Sequence, residues 1–193
     1  LSHLFQRALR VGRKARRETG ISRNAPSVSQ ACVQLAKEAL GDLKGRRALV
    51  LGAGDAGQLT GRALSRAGVK DMTVANRTYE RAEELAQGLM AHAIPFQELP
   101  RALEEADIVI GCTGASEYVL REKTIRQAME ARQQRPIFLL DIAMPRAIDP
   151  IVGKIKNVHL HDVDDLQSVS EAISQEREQE AHNACLLYTS DAA

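Results

Sequence analysis

Tryptophan is absent from this 193-residue sequence, and aromatic residues make up only 3% of it. That argues against a module that binds nucleic acid by stacking bases on aromatic side chains. No apolar run approaches the roughly 20 residues that a membrane-crossing helix needs. The first residues also lack the basic, apolar and small-residue order of a signal peptide. The expectation is a soluble, cytoplasmic protein with no membrane partner. Cysteine is scarce as well. Cys32, Cys112 and Cys185 are odd in number and far apart, offering neither a disulfide framework nor a Cys-x-x-Cys metal site. His159 and His161 alternate on a strand pattern, but two histidines without a third ligand do not make a metal centre, and no metal is expected.

What is present is an ordinary globular balance, 44% hydrophobic and 26% charged, in a chain long enough for one full core with appendages. The net charge of +1 hides an asymmetry. Arg7, Arg10, Arg13, Lys14, Arg16, Arg17 and Arg23 oppose only Glu18, whereas Glu171, Glu176, Glu178 and Glu180 gather near the other end. The basic stretch fits either contact with a polyanion such as RNA or a solvated helix face, and the residues leave both open. Both ends read as cut. Leu1, Phe5, Ala8 and Ala15 are already in helical phase, and the last nine residues, from Cys185 to Ala193, resemble translated sequencing-adapter DNA and are excluded from fold reasoning.

Between the ends, short apolar runs alternate with helical patterns. A first helix over Leu1 to Glu18 ends at Thr19-Gly20. A second begins at a Ser-x-x-Gln capping box, Ser27 to Gln30, and carries one apolar stripe down to Gly41. The pattern then predicts strands at Ala48–Leu51, Met72–Ala75, Pro95–Gln97, Ile108–Gly111, Ile137–Leu140 and Val158–His161. The intervening helices are Ala56–Ala67, Tyr79–Ala91, Ala102–Glu105 and Glu122–Arg132, and an acidic helix closes the chain. Such alternation implies right-handed crossovers and an α/β doubly wound parallel sheet, a Rossmann-like fold with flanking helices.

The chemistry concentrates at the ends of the predicted strands. Gly52-Ala53-Gly54-Asp55-Ala56-Gly57 is a G-x-G-x-x-G turn between a predicted strand and a predicted helix. The first glycine serves the sharp turn, the second the approach of a pyrophosphate, and the third the close packing of helix on strand. The N–H groups opening the next helix then face the phosphates. The alternative is a glycine-rich turn of some other α/β protein, but a predicted strand before it and a predicted helix after it are the context that a dinucleotide-binding turn requires. About 20 residues on, an NAD-binding chain carries Asp or Glu for the ribose hydroxyl, but this one carries Asn76-Arg77-Thr78. Arg77 can clamp a 2′-phosphate while Asn76 and Thr78 donate further hydrogen bonds, selecting NADPH. The alternative is that Arg77 caps the next helix or is merely solvated. Cys112-Thr113 ends another strand and is expected beside the nicotinamide. No His, Lys or helix N-terminus is visibly placed to activate Cys112. Cys32, on an apolar helix face, reads as core packing. Asp141 to Arg146 forms a loop on the same edge, stiffened by Pro145, with Asp141 and Arg146 expected to pair.

In this order the motifs resemble one family closely. Ala15-Arg16-Arg17-Glu18-Thr19, Ser27-Val28-Ser29, the Gly52 to Gly57 turn, Asn76-Arg77-Thr78, Ala106-Asp107-Ile108-Val109-Ile110, Asp141-Ile142-Ala143-Met144-Pro145-Arg146 and Asp164-Asp165-Leu166 are similar to those of glutamyl-tRNA reductases. The resemblance implies a division into the tail of a catalytic domain (1–24), an NADPH-binding domain (25–165), the start of a spinal dimerisation helix (166–184) and the adapter-like tail (185–193). It also implies a V-shaped homodimer, a glutamyl-tRNA(Glu) substrate and glutamate-1-semialdehyde aminomutase as a candidate partner. In that family a cysteine thiolate of the N-terminal domain forms a thioester, which hydride from NADPH reduces to glutamate-1-semialdehyde. That motif has no counterpart here, so no catalytic residue is assigned. The cofactor set is Gly52, Ala53, Gly54, Asp55, Ala56, Gly57, Asn76, Arg77, Thr78, Cys112 and Thr113. Asp55-Ala56 stands where the family often has Glu-Met, and Cys112-Thr113 where Ser-Thr is usual. Two rivals remain: a shikimate dehydrogenase-like oxidoreductase, and a non-catalytic NADPH-binding regulatory domain.

Overall fold

A computed structural model describes residues 28–169 and 171. The expected helix over Leu1 to Glu18, the residue Ser27 of the capping box, the tail from Cys185 and most of the acidic helix lie outside the described residues. Helix α1 spans Val28–Leu40 and buries Ala31, Cys32, Leu35, Ala36 and Leu40, the stripe expected from helical spacing. Gly41, at φ +75°, ends it in the left-handed conformation that glycine adopts without strain.

Six strands follow. They are β1 (Arg47–Leu51), β2 (Asp71–Asn76), β3 (His92–Pro95), β4 (Ile108–Gly111), β5 (Ile137–Asp141) and β6 (Val158–Asp162). Helices α2 (Asp55–Arg66), α3 (Tyr79–Leu89), α4 (Leu99–Glu105) and α5 (Glu122–Ala131) connect them, with short 3₁₀ turns at Phe96–Glu98 and Pro150–Lys154. All pairings are parallel, in the order β3-β2-β1-β4-β5-β6. This is the doubly wound sheet expected from the alternation. The inner strands β4 and β5 are buried along their whole length, which is why they read as unbroken apolar runs. Edge strand β3 is half-exposed, and it lies three residues earlier than the expected Pro95–Gln97. Pro95 closes the strand against Asn76, and Phe96 turns into the 3₁₀ segment.

Each face of the sheet carries its own core. One packs α1, α2 and α3 over Val50, Val74, Ile110, Phe138 and Leu140. The other packs α4, α5 and the 3₁₀ turn at Pro150 over Leu49, Leu51, Val109 and Leu139. Residues 163–169 form a further helical turn beyond β6, and its Leu166, fully buried, joins the first core. No helix among the described residues is long and apolar enough to cross a membrane.

Candidate cofactor site

Register places the chemistry on one line. Ile94, Ala75, Leu51, Gly111, Asp141 and Asp162 are successive partners across the six strands. Gly52, Asn76, Cys112 and Ile142 therefore each stand one residue beyond the same row. The backbone ladder continues that far: Gly52 N–H donates to the Ala75 carbonyl at 2.9 Å, Cys112 N–H to Leu51 at 2.9 Å and Ile142 N–H to Gly111 at 2.8 Å. Strand order reverses between β1 and β4, and in such sheets the crevice at that point, outside the carboxyl ends, receives ligands. The glycine turn follows one of these two strands and Cys112-Thr113 the other.

The glycines are required by contact. Gly52 has φ +111°, and a Cβ there would lie 2.8 Å from the Cys112 carbonyl group and from the Thr113 nitrogen. At Gly57 an added Cβ would collide with Cys112 Sγ and stand 3.2 Å from Val50 Cγ1. The missing side chain lets α2 press onto β1 and β4, as expected. Gly54, exposed and extended at the N-cap of α2, supplies no side chain to cap the helix. The first intrahelical bond from this turn is Gln58 N–H to the Gly54 carbonyl at 3.1 Å. Ahead of it the amides of Asp55 and Ala56 stand at the helix opening with no carbonyl of the helix to bind, a ready cradle for an anion, while the Gly57 amide is turned to Cys112. Ala53 is half-buried and packs against the first core, while Asp55 and Ala56 are exposed at the start of the helix.

At the tip of β2, Asn76 Nδ2 donates to the Thr78 carbonyl at 2.9 Å. Asn76 thus shapes the turn, a use the sequence reading had not assigned, having expected it to donate outward. Thr78 is the N-cap of α3 but makes no side-chain cap bond, so its hydroxyl is unspent. Arg77 is exposed and, among the described residues, has neither ion pair nor helix-capping contact. The reading of Arg77 as a helix cap has no contact to support it.

Cys112 corrects the sequence reading in one respect, because a helix N-terminus does face it. Backbone groups of Gly54 and Gly57 act to lower its pKa, but burial dominates and pushes the thiol up to about 11. Its Sγ donates to the Leu51 carbonyl at 3.4 Å. Cys112 is packing between two turns and is no thiolate nucleophile at neutral pH. Cys32 is wholly buried, and burial raises its thiol to about 12.

The loop after β5 gives the second correction. Asp141 does not pair with Arg146. Its carboxylate, buried to 3% exposure, accepts from the backbone N–H groups of Ala143, Ala147 and Ile148 at 2.9–3.3 Å. Arg146 instead reaches β6, where its Nη2 meets Asp162 Oδ2 at 2.6 Å. His161, on the same face of β6 as His159, stacks on Phe138 with ring centroids 5.4 Å apart.

Comparison with known proteins agrees with this geometry. The family model described as shikimate / quinate 5-dehydrogenase matches residues 34–169. The chain is 46% identical over 190 residues to the glutamyl-tRNA reductase of Natranaerobius thermophilus, covering 98% of this chain and 42% of that protein. The solved glutamyl-tRNA reductase of Methanopyrus kandleri superposes with a TM-score of 0.88 at 39% identity, over 93% of this chain and 45% of that one. The chain thus spans less than half the length of these relatives. Shikimate 5-dehydrogenase from Thermus thermophilus, solved with NADP(H) and shikimate, shares the fold at TM-score 0.53 and 23% identity, over 81% of this chain and 62% of that one. The chain therefore belongs to the shikimate / quinate 5-dehydrogenase family.

Proposed function

We propose that this chain is the NADPH-binding part of a glutamyl-tRNA reductase. In the whole enzyme it serves the reduction of glutamyl-tRNA(Glu) to glutamate-1-semialdehyde, the first step of tetrapyrrole synthesis by the five-carbon route. The observation that carries this reading is the row of strand ends at the switch point, with unspent donors at both ends of one crevice. At one end the opening amides of α2 would hold the pyrophosphate, approached closely because Gly54 has no side chain. At the other Arg77, with the Thr78 hydroxyl, would hold a 2′-phosphate, and no carboxylate stands at the tip of β2 to repel it. Cys112-Thr113 and the loop after Asp141 would border the nicotinamide. NADPH, when bound, supplies hydride. The chain's own part is to orient that donor and to keep a rigid, largely apolar wall of β1 and β4 behind it.

The reading extends to the whole protein as follows. As the family resemblance implies, the nucleophile that takes the glutamyl group belongs to the N-terminal catalytic domain; Cys32 and Cys112, whose thiols burial raises to about 12 and about 11, are unsuited to that role. The tRNA, the homodimer, the aminomutase partner and the cytoplasmic setting belong to the full-length enzyme. Residues 1–24, 25–165 and 166–184 correspond to its catalytic tail, cofactor domain and spinal helix, with 185–193 as non-native tail. The shikimate-type alternative draws on the family model over residues 34–169 and on solved relatives whose likeness is one of fold, while the identity of 46% to a glutamyl-tRNA reductase favours the reductase.

The test is a paired assay of this chain and the full-length enzyme. The chain is expected to bind NADPH and form no semialdehyde from glutamyl-tRNA, while the full-length protein does both. Semialdehyde formation by the chain alone, or shikimate oxidation by the full-length protein, would overturn the proposal.

A further inference from the structure

Two carboxylates at the carboxyl edge grip one loop from neighbouring strands. Asp141 and Asp162 are register partners, each the last residue of its strand. Asp141 holds the base of the loop 142–147 through the backbone amides described above, and that loop lies beside Cys112 because Ile142 N–H bonds the Gly111 carbonyl. Asp162 holds the far end through the Arg146 guanidinium, a short charge-assisted contact. The loop's base is already satisfied by Asp141, and Arg146 is itself 46% exposed. The guanidinium is therefore not needed to rescue a buried group, and what it adds is a tie to another element.

That other element is the helix over residues 163–169. Asp162 Oδ1 accepts from the N–H groups of Asp164 and Asp165 at 2.9 and 3.3 Å, and Asp165 Oδ2 accepts back from Asp162 N–H at 3.1 Å. This reciprocal cap fixes the first turn. His161 Nδ1 lies 3.2 Å from the same Asp165 oxygen, and Leu166 is fully buried behind it. One oxygen of Asp162 thus grips the loop while the other caps the helix.

We propose that Arg146 is a positioning residue that makes the loop 142–147 and the helix beginning at 163 move as one unit. The direction in which the chain leaves the domain is thereby registered at the edge of the cofactor crevice. The functional meaning of this coupling rests on the reading of that crevice given above, but the coupling itself does not. Amide hydrogen exchange on the 193-residue chain tests it, comparing wild type with Arg146→Met, Arg146→Lys and Asp162→Asn. Asn keeps the helix cap and removes the charge. In Arg146→Met and Asp162→Asn, exchange at the Met144 and Arg146 amides and at 164–165 is expected to rise together by about three- to fivefold, the scale of one partly exposed ion pair. The Ala143, Ala147 and Ile148 amides held by Asp141 stay protected, and Arg146→Lys recovers part of the loss. In the full-length enzyme, Arg146→Met should lower kcat with little change in the KM for NADPH. Loosening of the loop with an unchanged helix turn, or a loss that appears wholly in KM, overturns the coupling. Failure of the wild-type enzyme to reduce glutamyl-tRNA would instead sink the functional reading and leave the exchange result standing.

Discussion

The two edges of this sheet both carry arginines, and Arg132 at the amino edge and Arg77 at the carboxyl edge are used in opposite ways. At the amino edge most strong donors are turned onto the protein itself, although Arg135 Nε and Asp107 Oδ1 are buried without a hydrogen bond. Arg132, whose side chain is fully buried, donates to the carbonyls of Leu103, Ala106, Arg135 and Pro136 and lies 3.7 Å from Asp107. Asp107 in turn accepts from Arg47 N–H at 3.1 Å and faces Arg135 at 3.5 Å. Burial lowers the Arg132 pKa to about 10, which leaves it charged at neutral pH. Beside the first residues of β1 and β2 a cavity of about 210 Å³ is lined by Arg47, Asp71, Arg101 and Glu105. Its charges are also largely self-paired, Glu105 lying 3.3 Å from Arg47 and 3.7 Å from Arg101. At the carboxyl edge the Asp55 and Ala56 amides that open α2, the Thr78 hydroxyl and Arg77 are left without partners among the described residues, while the Gly57 amide is turned to Cys112. A cavity whose charges are mostly paired holds strands together, whereas strand ends with donors left over suit a ligand.

The sharpest way to break that contrast is to attack the amino edge and look for damage at the other. Arg132→Met removes a guanidinium that satisfies four carbonyls and leaves Asp107 without a buried partner. The expected cost is about 3–5 kcal/mol, by denaturant unfolding. The fraction that remains folded should bind NADPH as the wild type does. A loss of affinity in that fraction would mean the edges are not independent. Gly57→Ala is expected to be milder, costing about 1–3 kcal/mol by overpacking against Cys112. Adding Cys112→Ala should restore most of that stability by removing the sulfur that an added methyl meets. If the double variant is no better than Gly57→Ala, the close approach is not what demands glycine.

The smallest effect concerns the thiols. Both Cys32 and Cys112 have folded pKa values raised above the ordinary 9.0. Below pH 9 both states hold these protons, so the two groups add no slope. From pH 9 to about 11–12 the unfolded chain releases protons that the folded chain retains, and stability falls as pH rises. Thermal melts of a Cys32→Ala/Cys112→Ala variant should show a shallower alkaline decline than wild type. An identical slope would indicate that neither thiol is shielded as described.

Elements buried on both faces were the most legible in the sequence. Strand β4 starts and ends where the apolar run does, and β1 and β5 each extend the expected span by one residue. Edge strand β3 was displaced because a half-exposed edge has no apolar signature strong enough to outweigh the nearby Phe96. In the site, the glycine turn and the Asn76 to Thr78 tip were readable because their chemistry is local in sequence. The pairing of Asp141 with Arg146 was not, since each bonds beyond the other: Asp141 to backbone amides, Arg146 to a carboxylate 16 residues on. Arg132 carried no signal at all. Its partners are mostly carbonyls, which every residue has, and at the end of α5 it reads as an ordinary terminal cation.

The central claim, that the unspent donors of the carboxyl edge select NADPH, is tested most directly by calorimetric titration of wild type and Arg77→Ala with NADPH and NADH. The account expects wild type to prefer NADPH. Arg77→Ala should lose about 1.5–3 kcal/mol of NADPH binding, the scale of a hydrogen bond to a charged group, while NADH affinity and folding stability stay within about 0.5 kcal/mol. Equal losses for both nucleotides, or no loss for either, would contradict it.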